Sequence, residues 1–282
     1  MCGVSGCATG AAPAGGDARG GAGGGTDAGA ADGDGAKLRQ AIAGPQRTAA
    51  FRARDGARHP FETLRFFGLA PGQTVVEVSP GGGWFTEILA PYLREHGQLH
   101  AAHYPRDSAS EYERRGRGNF DAKLAAHPAV YDRVRVGTQP AATRGFGGIA
   151  PPGGADMVLT FRNLHNWIEA GHLERSLAAF HGVLKPGGVL GVEEHRAPPG
   201  TPLATVIRSG YVPEEMVIAK AREAGFELAG RSEVNANPLD TKDHPHGVWS
   251  LPPTLRGGDV DRARFVAIGE SDRMTLRFVR AR

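Results

Sequence analysis

The segment Val75-Val76-Glu77-Val78-Ser79-Pro80-Gly81-Gly82-Gly83-Trp84 constrains the fold more than any other part of the chain. A β-branched run ends in a carboxylate and passes directly into a glycine-rich turn. The residues that follow, 85–93, carry apolar side chains at Phe85, Ile88, Leu89, Tyr92 and Leu93, the spacing of an amphipathic helix. Strand, glycine turn and helix bring a ligand close to bare backbone at a helix N-terminus, so the expected ligand is nucleotide-like. The dinucleotide fingerprint Gly-x-Gly-x-x-Gly is not met, because Ser79 stands at its first glycine and the later spacing differs. A Cβ at Ser79 is tolerable only at negative φ, which predicts a loop that keeps this residue out of the left-handed region.

The chain has 282 residues, enough for one large domain. Of residues 1–36, 23 are Gly or Ala and none is Leu, Ile or aromatic, so this head is expected to be disordered. Residues 37–62 read as a helical lead-in, where Arg47, Arg52, Arg54, Asp55, Arg58 and His59 look like a solvated face. Residues 63–282 form the main domain. Strands are predicted at 74–78, 98–103, 132–136, 156–161, 189–193, 226–233 and 274–280, with helices at 85–93, 111–126, 169–183 and 213–224 and a Gly/Pro-rich loop at 138–154. Alternation of this kind gives a mostly parallel sheet covered on both faces. No helix separates the last two strands, which predicts an antiparallel pair at the sheet edge. Residues 234–270, between them, are too long for a hairpin loop and read as an ordered lid.

The net charge of +3 comes from scattered arginines without a dense run, so no nucleic-acid partner is expected. Both cysteines, Cys2 and Cys7, lie in the head, which excludes a disulfide or thiolate metal site from the domain. Val4-Ser5-Gly6-Cys7 resembles a bacterial lipobox, in which Cys7 would carry a lipid and the head would be a tether. That reading makes the protein a periplasmic or membrane-anchored lipoprotein, its only membrane contact through Cys7, and requires a signal peptide ahead of Met1. The other reading is a chance match in a cytoplasmic protein.

Glu77, Ser79, Gly81 and Gly83 fall at every second position, which resembles the acidic-x-Gly-x-Gly-x-Gly motif of class I S-adenosylmethionine-dependent methyltransferases. The segment 155–160, the Leu184-Lys185-Pro186-Gly187-Gly188 turn and Ala224-Gly225-Phe226 are similar to further parts of that family. The motifs are closest to a bacterial group of predicted, often exported methyltransferases of unknown substrate. The resemblance implies a doubly wound, Rossmann-like seven-stranded sheet with an antiparallel edge strand. It also implies S-adenosylmethionine as cofactor. Glu77 would hold the loop amides and face the cofactor's amino group, with Ser79, Gly81 and Gly83 around the methionine part. His103 takes the place of the acidic residue that binds the ribose, Thr138 lies near the adenine, and Asn163 completes the cofactor set.

Residues 162–167, Arg162-Asn163-Leu164-His165-Asn166-Trp167, follow the fourth strand, where the family places residues beside the transferring methyl. His165 is the candidate base, Arg162 a clamp for an acidic substrate, Asn166 a further polar contact, and Trp167 a pocket wall. The alternative is that His165 and Asn166 cap a helix and Trp167 is core. Glu194 and His195 close the fifth strand at the same edge and should approach His165. These three could ligate a metal, but their spacing is irregular, and no metal is expected. Tyr211, Lys242, Asp243 and Trp249 are placed at the substrate side and lid. The resulting expectation is a methyltransferase acting on a small molecule. The alternative is the same fold repurposed as an exported ligand- or metal-binding protein.

Overall fold

The computed structural model describes residues 26–140 and 146–281, so Cys2, Cys7 and the lipobox-like segment lie outside the described residues. Helices α1 (Thr26–Ala43), α2 (Ala49–Arg52), α3 (Asp55–Arg58) and α4 (Pro60–Phe67) come first. Helix α1 begins inside the stretch expected to be disordered up to residue 36. Alanine favours helix, and the C-terminal half of α1 buries Leu38 and Ala41 against the domain. Next come β1 (Thr74–Val78), α5 (Thr86–Leu93), β2 (Gln98–His103), α6 (Glu111–Ala126), α7 (Pro128–Tyr131) and β3 (Arg135–Thr138). The chain continues through β4 (Ala155–Phe161), α8 (Leu164–Glu169), α9 (Leu173–Val183), β5 (Leu184–Ala197), α10 (Leu203–Ser209), β6 (Val212–Pro213) and α11 (Glu214–Glu223). It closes with β7 (Phe226–Ser232), α12 (Arg262–Ile268) and β8 (Arg273–Arg280).

The strands form one sheet in the order β3-β2-β1-β4-β5-β8-β7, with the two-residue β6 beside the end of β5. β8 runs antiparallel to both β5 and β7, and the other neighbours are parallel. The α/β architecture and its antiparallel pair are as expected. Two boundaries differ. The third strand starts at Arg135 instead of 132, because Pro128 opens a short helix whose end, Asp132, bonds Arg94. The fifth is longer at both ends because it has a partner on each side over most of its length.

Successive residues of the buried strands feed opposite faces, as a period of two demands. Val75, Leu99, Met157 and Leu159 pack with α1, α4 and α5, whereas Val76, Val158, Leu190 and Leu276 pack with α8, α9 and α11. Strand order reverses between β1 and β4, and at this switch point the carboxyl ends open a crevice.

The lead-in is not a solvated face. Arg47 and Arg58 are buried, and Arg47 Nε lies 3.4 Å from a Glu87 carboxylate that is itself inaccessible. Glu87 also takes the Thr48 amide at 2.9 Å and the Lys123 ammonium at 2.6 Å. One carboxylate on α5 thus fastens the N-terminal helices to the sheet. Removing one side of a buried ion pair strands the other, so Glu87→Ala should destabilise the protein by about 3 kcal/mol or more. Limited proteolysis should then cut within residues 44–54; an unchanged cleavage pattern and unfolding midpoint would contradict this role.

Candidate active site at the carboxyl edge

The glycine turn follows β1 in a shape the sequence does not suggest. Ser79 has φ +52°, inside the left-handed region it was expected to avoid. Its amide donates to Ala102 O at 2.8 Å and its hydroxyl to Gln139, so tertiary bonds override the steric preference. Gly81 and Gly83 also have positive φ, and a Cβ on Gly83 would come within 3.2 Å of Phe120. Gly81 is exposed, with open space where a side chain would stand.

His103, at the end of β2, is not free for a ribose. Its Nδ1 accepts the Tyr104 amide at 2.7 Å, which leaves Nε2–H to donate to Gly81 O at 3.1 Å. Burial lowers its pKa, so the ring is neutral and pins the glycine loop. Glu77 is buried as well, and its partner is the Thr86 hydroxyl at 2.6 Å instead of the loop amides. Burial raises its carboxyl to about 7, partly offset by Thr86 and Lys123. Asn163 reaches from the end of β4 to Val78 O at 3.2 Å and ties the loop to the next strand. Thr138 pairs with Gly147 at the far edge of the sheet, and the neighbouring Gln139 meets Ser79 in its place.

Beyond Asn163 lies the catalytic-looking pair. Glu194 accepts the Leu164, His165 and His195 amides at 2.6, 3.3 and 2.8 Å, and meets His165 Nδ1 at 2.9 Å. A carboxylate so placed only accepts, so His165 donates from Nδ1, and its Nε2 takes no partner among the described residues. His195 shares a hydrogen bond with Ser271 through Nδ1, and its ring centroid is 5.3 Å from that of His165. Burial, then the nearby His165 and arginines 162, 273 and 58, hold it well below the usual histidine range.

Both rings border a cavity of about 220 Å³, also lined by Arg54, Arg58, Arg162, Trp249, Glu270 and Ser271. The β5–β8 register sets His195 opposite Arg273, and Glu193 binds Arg162 at 2.6 Å and Arg273 at 3.1 Å. Glu270 binds Arg54 at 2.7 Å, with Arg58 and Arg273 each at 3.1 Å. Burial opposes charge on Glu193, yet Arg162, Arg273 and Arg58 hold its carboxyl below the normal range. Glu270 is likewise penalised by burial but pulled down to about 2 by Arg58, Arg273 and Arg54.

The structure therefore unites His165, Arg162, Glu194, His195 and Trp249. It places the other expected residues elsewhere. Trp167 is core, 5.4 Å from Phe180, and Asn166 is exposed on α8. Tyr211 is buried and donates its hydroxyl to Asp240 at 2.9 Å, so its phenol holds the insertion in place instead of entering the cavity. Lys242 pairs with Asp272 at 3.0 Å and Asp243 is bound by Thr241, both away from the cavity. Glu193, Glu270, Arg54, Arg58 and Arg273 were not anticipated as site residues. The arginine spacing in the lead-in was the one available signal.

One ligating atom from each of His165, Glu194 and His195 lies within 4.8 Å of the others. Both Glu194 oxygens are already occupied by donors, and the arginines that lower His195 would repel a cation too. The arrangement favours a hydrogen-bonded network.

No protein-family model and no curated protein matches the chain. Solved structures do. An S-adenosylmethionine-dependent methyltransferase from Aquifex aeolicus is 16% identical, with a TM-score of 0.54, covering 88% of this chain and 98% of that one. The fold is the methyltransferase fold. The [4+2]-cyclase SpnF is 18% identical with a TM-score of 0.56, covering 89% of this chain and 95% of its own. A fold shared by a methyltransferase and a cyclase positions a site without naming its reaction.

Two measurements check this geometry. Glu77 binds its proton more tightly folded (about 7) than at its ordinary 4.5, so its contribution is present below pH 4.5 and lost as pH rises to 7. At about 1.4 kcal/mol per tenfold change in proton affinity the loss is about 3 kcal/mol. Glu77→Gln should therefore gain stability over wild type by that order between pH 4.5 and 8; parallel curves would contradict it. His103→Ala should cost about 2 kcal/mol and raise hydrogen exchange at Gly81–Gly83. Unchanged exchange there would remove His103 as the loop's pin.

Proposed function

We propose that the protein is an S-adenosylmethionine-dependent methyltransferase acting on a small molecule, with His165 as general base oriented by Glu194. The His165–Glu194 pair at the mouth of the carboxyl-edge cavity, two residues from the Asn163 that touches the glycine loop, carries this reading.

The loop fits the amino-acid end of the cofactor. Gly81 is open, and the amides of Gly81 and Gly82 take no partner among the described residues, so backbone donors are available. Asn163 keeps its Oδ1 for the same end. The ribose end differs from the family pattern. His103 is spent on the loop, which leaves Tyr104 and Gln139 to contact the nucleoside, a weaker set than a carboxylate.

The cofactor supplies an electrophilic sulfonium methyl, and alignment with a nucleophile is most of what the reaction needs. Glu194 fixes the His165 tautomer so that Nε2 can take the acceptor's proton as the nucleophile attacks. Its charge then stabilises the imidazolium. Neutral His195 lines the same cavity and adds a hydrogen-bonding ring without a competing charge. Trp249 closes the cavity from the insertion and limits water.

Calorimetry of the full chain with S-adenosylmethionine and S-adenosylhomocysteine tests the reading. Both should bind, with Gly81→Val weakening each about tenfold or more and His165→Ala leaving affinity unchanged. Once an acceptor is found, His165→Ala should lower kcat by about 10²–10⁴. No binding of either ligand at millimolar concentration would refute the proposal.

A further inference from the structure

The cavity beside His165 is lined by three arginines and one carboxylate among its charged groups. Four guanidinium groups (Arg54, Arg58, Arg162, Arg273) meet three carboxylates (Glu193, Glu194, Glu270) around it. Leaving the histidines aside, four guanidiniums against three carboxylates give the cluster one surplus positive charge. It is also desolvated: Glu193 and Glu194 are inaccessible, and Arg58 and Arg273 nearly so. An unmatched charge costs far more there than in water.

The donors are as uneven as the charge. Arg54 and Arg58 spend Nε on Glu270, and Arg162 spends Nη1 on Glu193. Arg54 Nη2 is buried with no partner, and so is Arg273 Nε. The first three arginines line the cavity directly. Burial, together with Arg162 and Arg54, drives the Arg58 guanidinium down to about 8 against the pull of Glu270 and Glu193. A guanidinium resists losing its proton, so a group under such pressure instead gains most from a bound oxyanion. Arg162 is held at φ +59° to present its side chain here, a strained conformation for a residue with a Cβ.

We infer that Arg54, Arg58 and Arg162 form an oxyanion-binding site that holds a carboxylate or phosphate group of the methyl acceptor beside His165. The inference rests on the methyltransferase reading only for the word acceptor; binding of the anion stands alone. A cavity of about 220 Å³ is smaller than the roughly 300–1,000 Å³ of drug-sized sites, which points to a small acid. Arginine forks suit both planar carboxylates and phosphates, so the chemistry shared by the two is an oxyanion with two or more acceptor oxygens.

The test uses the full chain at neutral pH with two probes, inorganic phosphate and succinate, followed by calorimetry and by the His165 ring ¹⁵N resonances. At least one probe should bind saturably and shift His165 Nε2. A tighter phosphate isotherm assigns a phosphorylated acceptor and a tighter succinate isotherm a carboxylic acid, and either supports the site. Arg162→Gln and Arg58→Lys should each weaken binding about tenfold or more, while exposed Arg115→Gln should not. Arg162→Lys keeps a cation beside Glu193 but loses the guanidinium fork, so it should keep the fold and also weaken binding if Arg162→Gln unfolds. Failure of both probes to bind, or binding that survives Arg162→Gln and Arg58→Lys, overturns the inference. Cofactor binding without oxyanion binding would refute this site alone; the converse would refute methyl transfer and keep the site.

Discussion

The buried ion cluster around Glu193 and Glu270 is the constraint on which the site depends. It joins α3, the end of β4, β5 and the start of β8, and its Arg58–Glu270 contact spans 212 residues of sequence. Each carboxylate is shared between guanidiniums, so no single pair can be removed without stranding a charge. The lead-in helices are therefore part of the site: they supply two of its cations. Glu87 fixes their base and Glu270 their tip.

Beside this cluster the glycine loop is held by a different kind of contact. His103 and Asn163 grip it from β2 and β4 through backbone carbonyls, and the Ser79 hydroxyl binds Gln139. These bonds explain how a serine occupies a left-handed position and why a neutral imidazole stands where a ribose-binding acid was expected. The loop keeps its open glycine and gives up one anchor. Under the methyltransferase reading proposed above, cofactor affinity would rest on backbone amides and on the shape of the crevice more than on charge.

Much of the fold was legible in the sequence because it follows from local periodicity. The apolar runs at 74–78 and 156–161 mark buried strands, where the structure agrees to within a residue, whereas the 184–188 turn expected ahead of the fifth strand lies inside β5. The site was legible where its residues end strands: His165, Glu194 and His195 meet because parallel strands put their carboxyl ends at one edge. It was not legible where a partner lies far along the chain. Nothing near Arg58 announces Glu270, so the arginines read as solvated. Tyr211, Lys242 and Asp243 looked like lid chemistry, yet Tyr211–Asp240 and Lys242–Asp272 tie the insertion to the domain and Asp243 bonds Thr241 within it. Trp167 and Trp249 are equivalent in composition, and only packing sends one to the core and the other to the cavity.

A crystal structure of the full chain with S-adenosylhomocysteine tests the account most directly. The expected result is a ligand with its amino-acid end on Gly81 and Asn163 and its thioether opening toward the cavity of His165 and Trp249. A ligand bound elsewhere, or a crevice empty at saturating ligand, would contradict it.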